Sequence, residues 1–87
     1  MSKVIYKYHL YSSGSATILK GAEVLCVNVL GGEVFLWAIV DPNETEYENR
    51  QFIILATGQA IPEERGDYIG TFILPLEGLV FHLFNVV

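Results

Sequence analysis

The sequence predicts an all-β domain, a small antiparallel β-sandwich or partly open barrel of about seven strands. Three observations predict it. No window of about a dozen residues keeps apolar side chains at helical spacing. Period-2 alternation and continuous β-branched runs recur along the whole chain. Turn-forming clusters punctuate those runs roughly every 8 to 12 residues. At 87 residues the chain is long enough for one domain, spanning 1–87.

The first expected strand covers 3–11. Val4, Tyr6, Tyr8 and Leu10 point one way, and Lys3, Ile5, Lys7, His9 and Tyr11 the other. Ser12-Ser13-Gly14-Ser15 is a turn by composition, and 17–19 reads as a short second strand. The clearest unit follows, with two apolar strands, 23–30 and 33–40, joined by Gly31-Gly32. Two-residue hairpin loops require positive φ, which paired glycines adopt without steric cost. Both strands are apolar at nearly every position, so both of their faces are expected to be covered. Residues 41–50 read as a polar loop, with Pro42 ending the strand before it. Strand 51–57, loop 58–66, and strands 68–74 and 79–86 around Pro75-Leu76-Glu77-Gly78 complete the pattern.

Composition narrows the function classes. Net charge is −5, and the bases are Lys3, Lys7, Lys20, Arg50 and Arg65. Phosphate neutralisation along a long nucleic acid needs clustered Lys and Arg, which five scattered bases do not provide. No uncharged run approaches the ~18 to 20 residues of a membrane-spanning helix. The opening Met1-Ser2-Lys3 leads into an alternating pattern rather than a signal peptide, so a cytoplasmic location is expected. Hydrophobic residues make up 52% of the chain, more than one small core can use, and homo-oligomerisation is the expected outlet. The single cysteine, Cys26, reads as a small buried hydrophobe in a strand.

Catalytic and metal motifs are not evident. Asp41, Asn43 and Thr45 match the first positions of a calcium loop. Glu46 and Phe52 then stand where that loop needs Gly and Glu. No cofactor and no metal is expected. His82 lies in an otherwise apolar strand, with Val80, Phe84 and Val86 on its own face and Leu79, Phe81, Leu83 and Asn85 on the other. It reads as a core or interface histidine bonded to a neighbour, or as a ligand contact or general base. Metal ligation is disfavoured because His9 and Cys26 are the other soft ligands and no ligand spacing links them. Trp37 and Tyr68 fall near strand ends, where their rings could stack a base. Thr57, Gln59, Arg50 and Arg65 would supply polar contacts to a nucleotide-like ligand.

Five segments carry a resemblance that runs in matching order along nearly the whole chain. They are Lys3-Val4-Ile5-Tyr6-Lys7-Tyr8, Leu36-Trp37-Ala38-Ile39-Val40-Asp41-Pro42, Ala56-Thr57-Gly58-Gln59-Ala60-Ile61-Pro62, Tyr68-Ile69-Gly70-Thr71-Phe72 and Leu79-Val80-Phe81-His82-Leu83-Phe84. Together they resemble a family of small proteins, without assigned activity, encoded mainly by bacteriophages and prophages. That family often has His where this chain has Gln59. The resemblance implies a context in the host cytoplasm, where small phage proteins act against host machinery. The leading expectation is a non-enzymatic, homo-oligomeric binding protein that counters antiviral defence by sequestering a nucleotide-derived signal. Its site would comprise Trp37, Arg50, Thr57, Gln59, Arg65, Tyr68 and His82. The alternatives are a direct protein inhibitor of a host defence enzyme, or a structural or assembly component of the phage particle.

Overall fold

A computed structural model describes residues 2–86. It contains seven strands and, among the described residues, no helix: β1 (Val4–His9), β2 (Ser15–Leu19), β3 (Glu23–Leu30), β4 (Glu33–Val40), β5 (Tyr47–Ala56), β6 (Arg65–Leu74) and β7 (Leu79–Val86). All pairings are antiparallel. One sheet has the order β1-β4-β3 and the other β2-β5-β7-β6, so the fold is an open two-sheet sandwich rather than a closed barrel. The sheets face each other chiefly through β3 across β6, with β1 beside β2. No helix of the described residues is long and apolar enough to cross a membrane.

The expected hairpin forms as its sequence dictates. Gly31 and Gly32 have φ of 57° and 81°, and β3 and β4 pair outward from them through Leu30–Glu33. Between the sheets lie Ile18, Leu36, Ala38 and Leu83, all fully buried, with Leu10, Val27, Phe52 and Phe72 around them. β1 turns Val4, Tyr6 and Tyr8 inward, opposite Val40, Ala38 and Leu36 of β4. That is the face its alternation predicts.

Three expectations are corrected. β5 begins at Tyr47, so residues 47–50, expected in the polar loop, are strand paired with β2. Their polarity hides the strand because Glu48 and Arg50 pair with each other at the margin of the sandwich. Cys26 is exposed rather than buried. A bulge at Leu25 breaks the alternation between Val24 and Cys26, so Cys26 pairs with outward-facing Trp37 while Val27 takes the inward place opposite Leu36. The β3–β4 hairpin is covered on one face only. Its outer face carries Phe35, Trp37 and Ile39, which are half-buried, and exposed Leu25 and Cys26.

Candidate functional site

The outer face of the four-stranded sheet carries a pocket of about 300 Å³ beneath the loop that joins β5 to β6. Leu55 sits on this outer face yet is 6% exposed, because the loop folds over it. Leu55, Ile61 and Phe84 form apolar walls, while Thr57, Gln59, Tyr68 and His82 contribute polar groups. His82 faces outward because its neighbour Leu83 is fully buried and successive strand residues alternate.

The polar groups are linked. His82 Nε2 lies 2.8 Å from Thr57 Oγ1, and His82 Nδ1 lies 2.9 Å from Thr71 Oγ1. Thr71 Oγ1 is in turn bonded to the Tyr68 hydroxyl. Thr57 Oγ1 also reaches the Val80 carbonyl at 3.5 Å. Hydroxyls both donate and accept, and each imidazole nitrogen does one or the other according to the tautomer, so the series can run in either direction. At its end the Tyr68 hydroxyl keeps hydrogen-bonding capacity beyond its bond to Thr71. A bulge makes this possible. Tyr68 and Thr71 are three residues apart and would face opposite sides of a regular strand. The register shift between Tyr68 and Gly70 places them opposite Phe84 and His82, on one face.

Two further groups frame the opening. Gln59 Oε1 accepts from the Ala56 N–H at 3.0 Å, which commits the amide oxygen and leaves its NH₂ as a donor. The Arg65 guanidinium stands 5.2 Å from the centroid of Phe84, whose ring meets Tyr68 edge-on at 5.5 Å. Arg65 is exposed, and its guanidinium also donates to the Gly66 carbonyl at 3.2 Å.

Of the seven residues singled out in the sequence, Thr57, Gln59, Tyr68 and His82 line this pocket and Arg65 borders it through Phe84. Trp37 and Arg50 lie elsewhere. Trp37 is on the outer face of the other sheet, next to Phe35. Arg50 donates to Glu48 Oε1 at 2.6 Å and to the Ala22 carbonyl at 2.9 Å. The hydrogen bond from Arg50 holds the Glu48 carboxyl below the usual range. Thr71 and Phe84 complete the site and were not singled out. Thr71 was hidden by the bulge, and Phe84 reads from sequence as one more apolar strand residue.

A second opening of about 430 Å³ lies between the sheets, walled by Leu10, Val34, Ile54, Phe72 and Phe81. The His9–Glu33 pair, 3.4 Å apart, stands at its lip. It is larger, but it is the open end of the core, and its polar groups are at the margin. The smaller pocket is the better candidate because hydroxyl, amide, imidazole and aromatic groups converge in it.

Fold and site together define a small two-sheet β-sandwich with a polar-lined pocket on the outer face of one sheet. The family model described as a domain of unknown function (DUF7352) matches residues 1–87, and the chain belongs to that family. No curated protein and no solved structure matches it.

Proposed function

We propose that this domain is a non-enzymatic binding protein that holds a small nucleotide-derived ligand in the His82 pocket. The observation that carries the reading is the hydrogen-bonded series Tyr68–Thr71–His82–Thr57 set between an aromatic pair and an arginine. Aromatic faces and edges suit a base, the Tyr68 hydroxyl and the Gln59 amide offer hydrogen-bonding groups to its polar edge, and Arg65 suits a phosphate. Both nitrogens of His82 are committed to hydroxyls, so the ring orients the site rather than acting as a free general base.

The biological setting rests on the family resemblance drawn from the sequence. In that setting the protein is phage-encoded, works in the host cytoplasm as a homo-oligomer, and sequesters a signal of antiviral defence. A direct protein inhibitor of a host enzyme is the competing reading, and the exposed apolar face of the three-stranded sheet is what favours it.

Native mass spectrometry with a panel of cyclic dinucleotides, cyclic trinucleotides and ADP-ribose isomers tests the proposal. The expected result is one unmodified nucleotide gained per chain. Calorimetry should then give at least roughly tenfold weaker binding for Tyr68→Phe, Thr71→Val and His82→Ala. A protein that stays bare across the panel, or a nucleotide held equally well by all three variants, would overturn it.

A further inference from the structure

We propose that the outer face of the β1-β4-β3 sheet is the surface through which two copies of this chain associate. The starting point is the central strand. β4 turns Phe35, Trp37 and Ile39 outward as three successive apolar side chains on one face, with Lys7 Nζ 4.6 Å over the Phe35 ring. The outward positions of a sheet face meant for water are polar instead. β1 adds Ile5, 58% exposed, and β3 adds Leu25 at its bulge, 40% exposed.

The molecule as a whole carries surface in excess. It exposes 5616 Å² at 9.7 kDa, whereas a folded monomer of that mass exposes about 5,100 Å², so about 500 Å² is surplus. Its radius of gyration, 13.3 Å, likewise exceeds the ~12 Å of a compact domain of this length. The surplus is of the order of the ~800 Å² per partner that a stable dimer buries.

Charge on the face identifies the occupant. Lys7 lies on the β1 side of the apolar column, beside His9, which faces Glu33 of the same chain at 3.4 Å, and Glu23 lies on the β3 side, opposite Ile39. A surface with an apolar centre, one cationic flank and one anionic flank is its own complement under a two-fold axis. With that axis along β4, β1 of one subunit lies over β3 of the other. Lys7 then comes within one row of side chains, about 7 Å along the strand, of Glu23 of the partner subunit. A lipid surface would not accommodate Lys7, Glu23 and Glu33 on the same face.

This arrangement leaves the His82 pocket free, because the pocket is on the outer face of the other sheet. The two pockets of a dimer then look outward rather than lying between subunits. It also gives Trp37 a role that its distance from the pocket denies it there.

Sedimentation velocity of the full chain between about 1 and 100 µM is the test. The expected result is a dimer that Ile39→Lys and Lys7→Glu both weaken at least roughly tenfold, with unchanged far-UV circular dichroism. Lys7→Glu combined with Glu23→Lys should restore association. Ile73→Lys, on the outer face of the other sheet, should leave it intact. Trp37, the single tryptophan, should shift its emission to the blue as wild-type concentration rises, and this readout needs no variant. A monomer at every concentration would overturn the proposal. So would an oligomer indifferent to Ile39→Lys, or one whose Trp37 emission does not move. None of these results depends on a nucleotide, so this proposal and the pocket stand or fall separately.

Discussion

His82 keeps two threonine hydroxyls in place, and Tyr8 presents the opposite situation on the inner side of the sandwich. Among the described residues, the buried Tyr8 hydroxyl has no hydrogen-bond partner. Burial raises its pKa above the ordinary value of 10.0, and the nearby Leu19 backbone, which makes no bond of normal geometry with it, only partly opposes this. A tyrosine whose folded pKa is raised contributes stability that is fully present below the unfolded value. That contribution is lost as pH rises through the folded value. Removing an unsatisfied buried hydroxyl should cost nothing. Tyr8→Phe is therefore expected to leave stability unchanged or raise it by up to about 1 kcal/mol at neutral pH. It should also flatten the decline above pH 10. Urea unfolding at pH 7 and pH 10.5 measures both, and a loss greater than about 1 kcal/mol at pH 7 would mean the hydroxyl has a partner after all.

At the scale of elements, the turn between β1 and β2 is the most constrained. Gly14 has φ of +87°, donates to the Tyr11 carbonyl at 2.8 Å, and accepts from the Phe52 N–H at 2.7 Å. A Cβ there would stand 2.6 Å from the Phe52 carbonyl oxygen, which is backbone and cannot swing aside. Gly14→Ala should therefore cost roughly 3 kcal/mol, from the positive φ and the clash together, and a urea midpoint near wild type would contradict this. Composition marks 12–15 as a turn, but the approach of Phe52 is a tertiary fact with no local signal. The same division runs through the fold. The β3–β4 hairpin was legible to the residue because Gly31-Gly32 and two apolar runs specify it locally. The inward face of β1 followed from alternation, whereas the direction in which His82 faces did not, because a one-residue slip in register reverses it. What else was not legible sits at bulges and at a polar strand. One inserted residue at Leu25 turned Cys26 outward, and another between Tyr68 and Gly70 brought Thr71 onto the pocket face. The ion pair of Glu48 and Arg50 made the start of β5 look like loop.

The whole molecule is thin, 42 × 32 × 18 Å, as two layers of sheet must be. A body of that shape has two broad outer faces. One carries the His82 pocket under a loop, and the other carries the apolar column of β4. The hydrophobic excess in the composition anticipated a surface beyond the core, though not which face would bear it. The candidate site was legible in part. Thr57, Gln59, Tyr68, Arg65 and His82 converge although they come from β7, β6 and the loop after β5, whereas Trp37 belongs to the opposite face. Strand order decides which face a residue shares, and strand order is not written in local pattern. The central claim, that this pocket is where a nucleotide binds, is tested most directly by an ¹H–¹⁵N NMR spectrum. It would be recorded while a mixture of cyclic dinucleotides, cyclic trinucleotides and ADP-ribose isomers is added to the full chain. The account predicts shifts concentrated at Thr57, Gln59, Tyr68, Thr71 and the His82 ring, with the Trp37 indole unmoved. An unchanged spectrum, or shifts centred on Phe35 to Ile39, would contradict it.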